Sequence, residues 1–69
     1  MQTFQYNVSV LRNRLGISAR AFAIEIGLAP HTYRNIEYGV QQPKVYQLIK
    51  ICDRFGIDDY KKFLTEKVD

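Results

Sequence analysis

Four glycines punctuate this chain, and each falls where a stripe of apolar residues at helical spacing ends. Phe4, Val8, Leu11 and Leu15 recur at i, i+4, i+7 and i+11, and the stripe stops before Gly16. That spacing puts them on one side of an α-helix. Phe22, Ala23 and Ile26 make a second stripe that ends at Gly27, and Tyr33 and Ile36 a third that ends at Gly39. Val45, Leu48, Ile49, Cys52 and Phe55 form a fourth, closed by Gly56, before Tyr60, Phe63 and Leu64 give a fifth. Start signals agree. Ser18 can cap the second helix through its hydroxyl, and Asp58 can cap the fifth. Pro30 suits the first turn of the third helix, where its missing N–H has no partner to lose; Pro43 precedes the fourth. The expectation is one domain over residues 1–69, with helices at about 4–15, 18–26, 30–38, 44–55 and 58–66. No segment alternates with period two for long, so the fold class is all-α, a five-helix bundle.

Composition narrows the function. Sixty-nine residues suffice for one small domain. Hydrophobic residues at 46% and charged residues at 25% argue against a disordered chain. Cys52 is the single cysteine, which rules out an internal disulfide and argues against a cysteine-held metal; on an apolar stripe it reads as core. His31 is the single histidine, and neither a Gly-rich phosphate loop nor a nucleophile–base constellation is present. No enzyme activity, metal or cofactor is expected. No apolar run reaches the ~18 residues of a membrane span. The start, MQTFQYNV, lacks a signal peptide's basic and apolar regions, so a soluble cytoplasmic protein is expected. The net charge of +3 is unevenly spread. Residues 1–50 carry six basic side chains against two acidic, and residues 51–69 four against five. A basic front half suits an anionic partner.

The connection Gly27-Leu28-Ala29 is too short for antiparallel packing of the helices that it joins. Two helices crossing steeply over such a turn form a helix-turn-helix, whose second helix can enter the major groove. This geometry wants a small residue at the close approach, met by Ala23, and a residue tolerating positive φ in the turn, met by Gly27. Leu28, Tyr33 and Ile36 are the expected anchors on the core. Tyr6, Tyr38, Tyr46 and Tyr60 read as part-exposed, with Tyr38 and Tyr46 the better contact candidates.

From Val8 to Leu64 the chain resembles the Cro- and phage-repressor-type helix-turn-helix domains, the xenobiotic response element family. The resemblance rests on Leu11-Arg12, Gly16-Ile17-Ser18, Phe22-Ala23, Gly27-Leu28 and Tyr33. It continues through Ile36-Glu37-Tyr38-Gly39 followed by Pro43, then Leu48-Ile49 and Phe55-Gly56-Ile57. It implies a compact lambda-repressor-like fold and an ion pair between Arg12 and Glu37, tying the first helix to the end of the third. The family's base-reading positions fall on Pro30 and His31, then Arg34 and Asn35. Arg can bond guanine O6 and N7, and Asn adenine N6 and N7. His31 and Thr32 offer further base contacts. Phosphate contacts would come from Ser18, Arg20, Tyr38, Gln41, Gln42 and Lys44. Ala19 stands where the family often has Gln, and Ala29-Pro30 where a polar cap and Gln are common. Base reading therefore moves onto His31, Thr32, Arg34 and Asn35.

The expected function is a sequence-specific regulator of double-stranded DNA, a small phage or mobile-element repressor. One such domain makes few base contacts, so a homodimer on two half-sites is expected, pairing around Ile57, Asp58 and Asp59, either in free solution or induced by DNA. The alternative is a protein-interaction module on the same fold, binding a partner repressor or a toxin, with Tyr38, Val40 and Tyr46 as apolar contacts.

Overall fold

The computed structural model describes residues 2–68; positions 1 and 69 of the expected unit lie outside the described residues. Five helices follow one another: α1 Gln2–Leu15, α2 Ala19–Glu25, α3 Pro30–Glu37, α4 Val45–Arg54 and α5 Tyr60–Thr65. No strand occurs among the described residues. α1 begins earlier than the apolar stripe suggests, α2, α4 and α5 are shorter than expected at both ends, and α3 ends one residue early.

Three of the helix ends share one mechanism. After α2, the Gly27 amide donates to the Ile24 carbonyl and the Leu28 amide to that of Ala23. Gly39 and Val40 close α3 on Ile36 and Asn35 in the same way, and Gly56 and Ile57 close α4 on Asp53 and Cys52. The paired bonds satisfy carbonyls that a helix end leaves open, and they need a left-handed residue at the turn. Gly27 supplies it at φ +78. Because the reversal after α4 uses Gly56 and Ile57, the cap of α5 falls one residue later than Asp58. It is Asp59 whose carboxylate accepts from the Lys62 amide, at 3.0 Å. Ser18 caps α2 by accepting from the Ala21 amide, also at 3.0 Å.

The core takes Phe4 and Val8 from α1, Phe22 and Ala23 from α2, Tyr33 and Ile36 from α3, Ile51 and Cys52 from α4, and Phe63 from α5. Phe22 is the hub: its ring stacks on Phe55 at 5.1 Å and meets Tyr33 at 5.2 Å. Phe63 sets its ring edgewise on Phe4, docking α5 on α1. Two stripes correct the expectation. Leu15, in the last turn of α1, is 44% exposed and edges a hollow shared with Phe55 and Ile57. On α4, Val45 is 73% exposed while Gln47 and Ile51 are buried, so the inward face is rotated from the one that the apolar residues outline. Gln47 can be buried because its side-chain oxygen accepts the Lys44 amide at 2.9 Å, capping the helix that carries it.

Asn7 is fully buried between Phe4 and Val8, yet its side chain is satisfied. Its Nδ2 donates to the carbonyls of Phe63 and Glu66, each at 2.8 Å, and its Oδ1 accepts the Val68 amide at 2.9 Å. One side-chain amide thus closes the end of α5, a helix of six residues that has too few internal bonds to persist alone. Asn7→Ala strands these groups and is expected to cost roughly 3 kcal/mol in urea unfolding. Thr65→Ala, which removes an exposed bond to the Lys61 carbonyl, should fall within about 0.5 kcal/mol of wild type.

Candidate nucleic-acid interface

α2 and α3 pack on each other across the Gly27 turn, which fixes which side of α3 faces outward. Tyr33 and Ile36 point into the core with no exposed surface. His31 and Arg34 are exposed, and so is Tyr38, which caps the helix after Glu37. Thr32 and Asn35 are half-buried on the flanks. α3 starts at Pro30 behind Ala29, which makes no side-chain cap. The four side chains expected to read bases therefore surround one outward face, two fully presented and two partly.

What holds α3 at this angle comes from α1. Arg12 grips Glu37 with two parallel bonds, Nε to Oε2 at 3.0 Å and Nη2 to Oε1 at 2.7 Å. Its remaining Nη1 donates to the Ile17 carbonyl at 2.8 Å. One guanidinium thus joins α1, the α1–α2 loop and the last turn of α3. The side chains are only 14% and 8% exposed, so the pair is partly desolvated. Burial acts to raise the Glu37 pKa, but the Arg12 bonds outweigh it and hold the carboxyl below its ordinary value. Beside them lies the Tyr33 hydroxyl, buried and without a hydrogen bond of good geometry. Burial and the neighbouring Glu37 charge keep this phenol protonated well above the ordinary tyrosine range.

Arg12, Ser18, Ala19, Arg34, Glu37 and Tyr38 line one cleft between the start of α2 and the end of α3. Ser18 and Arg20 are exposed at its α2 side. Beyond Tyr38, the Asn35 carbonyl accepts both the Val40 and Gln41 amides, which fixes the loop carrying Gln41, Gln42 and Lys44 toward α4. Lys44 is the residue before α4 and is exposed. Ile57, Asp58 and Asp59 are not part of this surface. They border a separate hollow with Lys62 and Lys67 along α5.

Sequence reasoning missed one pairing in the site. Arg34 Nη2 donates to the Tyr38 hydroxyl, and the guanidinium lies over the Tyr38 ring with Cζ 5.4 Å from its centroid. The i, i+4 spacing was the available signal. Elsewhere, Arg54 pairs with Glu25, pinning the end of α4 to the end of α2. Cys52 is buried, and burial together with the Asp53 charge pushes its thiol up to about 11, so it stays protonated near neutrality. Among the described residues no group of His, Cys, Asp or Glu could hold a metal ion, and no helix is long and apolar enough to cross a membrane.

Residues 10–60 match the family model described as Helix-turn-helix, HTH_3. This is most of the chain. The protein belongs to the Cro/C1-type helix-turn-helix family. Its five helices, with no strand among the described residues, are the lambda-repressor-like arrangement of that family. Membership makes the chain one of a DNA-binding, transcription-regulating type. No curated protein and no solved structure matches it at a significant level. In this helix-turn-helix domain the matched stretch contains both members of the Arg12–Glu37 pair and every residue on the outward face of α3.

The pair predicts a pH dependence with a definite sign. Because the folded Glu37 pKa lies below the ordinary 4.5, its contribution to stability is complete above that value and fades as pH falls through the lower folded value. Glu37→Gln is expected to lose roughly 2–3 kcal/mol at pH 7, between an exposed pair and a fully buried one. The gap between variant and wild type should narrow as urea unfolding is repeated below about pH 4. A constant gap would mean that the carboxylate charge is not what stabilises this corner.

Proposed function

We propose that this protein is a sequence-specific repressor of the small phage or mobile-element kind, acting in the cytoplasm on double-stranded DNA. The observation that carries this reading is the outward face of α3, where exposed His31 and Arg34 stand over the buried Tyr33–Ile36 base. A face built this way can enter a major groove without disturbing the core that holds it. Arg34 would bond guanine O6 and N7, Asn35 adenine N6 and N7, and His31 and Thr32 the neighbouring base edges. Ser18, Arg20, Tyr38, Gln41, Gln42 and Lys44 would hold the flanking phosphates, setting register. Two copies paired around Ile57, Asp58 and Asp59 would place their α3 helices on half-sites about 34 Å apart, and promoter occlusion would follow.

A second reading has its own support. Val40 is 76% exposed and Tyr38 65%, with Val45 and Tyr46 also open, and the Arg34 and Lys50 cations lie over the Tyr38 and Tyr46 rings. Such a surface would suit an acidic partner protein, a repressor or toxin, that covers the DNA-facing side.

Selection from randomised duplexes separates the readings. The repressor reading expects a two-fold symmetric site with log K falling by about 0.9 per phosphate contact against log salt. Arg34→Ala should cost about 1–3 kcal/mol and relax the preference at one base pair, whereas Lys44→Ala should weaken all sequences alike and reduce the salt slope by about 1. Uniformly weak, sequence-blind binding would favour the protein-partner reading. Sedimentation should find two protomers on the selected site; one protomer there, as well as in free solution, would remove the dimer.

A further inference from the structure

Arg34 and Tyr38 lie one helical turn apart, and their side chains meet through both the ring face and the hydroxyl. We propose that Tyr38 is a positioning residue for Arg34, so that the arginine–tyrosine pair, rather than arginine alone, sets the preference for one G·C base pair. This rests on the DNA-reading function above and assigns its specificity.

The surroundings explain why the arginine goes to a phenol. Glu37, three residues along, is held by Arg12 through both carboxylate oxygens, and Glu25 is held by Arg54. A carboxylate partner would neutralise Arg34 and repel a phosphate backbone. A tyrosine ring holds the cation by its π face and leaves the charge intact. The hydroxyl takes only one of the five guanidinium hydrogens. Whichever Nη2 hydrogen is used, one two-pronged edge remains, either Nε with Nη2 or Nη1 with Nη2. A guanine needs one such edge for O6 and N7.

The backbone under the pair is fixed as well. The Tyr38 amide donates to the Arg34 carbonyl at 2.9 Å, and the following Gly39 amide donates to that of Ile36 at 3.1 Å. A long side chain tethered before binding loses less freedom on binding, and the saving is greatest where its final geometry is most demanding. The tyrosine hydroxyl keeps its own hydrogen, which it can donate to a phosphate. The phosphate contact expected of Tyr38 and its action on Arg34 are therefore compatible, but they differ in what they do to sequence preference.

The test uses the whole chain and the duplex that wild type selects, beside a duplex changed at the pair where Arg34→Ala loses preference. Fluorescence anisotropy gives the ratio of the two affinities. Tyr38→Ala should lower that ratio about fivefold, and Tyr38→Phe, which keeps the ring, should retain part of it. Adding Tyr38→Ala to Arg34→Ala should leave the ratio where Arg34→Ala put it. Tyr38 is exposed, so circular dichroism of its variants should match wild type. If Tyr38→Ala weakens both duplexes equally, or neither, the residue does not position Arg34 and the proposal is overturned. If wild type selects no duplex, the DNA-reading function itself fails and takes the proposal with it.

Discussion

The bond between Arg12 and Glu37 is the one on which the functional face depends. α2 and α3 could cross over their glycine turn in isolation, but nothing in that turn fixes them relative to α1. One guanidinium supplies this, holding a carboxylate at the end of α3 and a carbonyl in the loop before α2. Two ions taken out of water repay the loss of hydration only with good geometry, and the bidentate contact provides it. The same contact has an electrostatic effect at the surface. With Glu37 engaged from behind, its charge is answered on the inner side of α3. The outer side keeps a basic character that a free carboxylate three residues from Arg34 would dilute.

The frame of the fold was readable because the residues that start and stop helices act locally. Ser18 caps the amides of its own first turn, and Gly27 turns the chain whatever lies beyond it. Apolar stripes found the right helices but not always the right face. On α4 the aliphatic residues spread over nearly half the circumference, so Ile51 could not be separated from Val45 and Ile49 without knowing what α4 packs against. Asn7 was hidden for a different reason. It is polar at a position where the stripe would accept an apolar residue, and its partners lie more than fifty residues away. No local pattern carries that distance.

The candidate site divides in the same way. Arg12 and Glu37, 25 residues apart, were paired through resemblance to a family and not through spacing. Exposure of His31 and Arg34 followed from the helical period once Tyr33 and Ile36 were assigned to the core. The arginine–tyrosine contact needed more than a period. Its i, i+4 spacing is common to many harmless surface pairs, and only the removal of Glu37 by Arg12 makes the tyrosine the place where Arg34 goes.

α5 has a consequence for how the protein would respond to its own concentration. Six residues, capped by Asp59 and held on α1 by the buried Asn7 amide and by the packing of Phe63 and Leu64, make the helix a dependent element, and the surface proposed for pairing borders it. If the proposed pairing uses it, folding of this segment and association across it would be linked equilibria. Any occupant that holds the folded form of α5 draws the population toward the closed domain by mass action, in proportion to its concentration over its dissociation constant. A regulator built this way would be sturdier when paired than when dilute, and its persistence would rise with its own abundance.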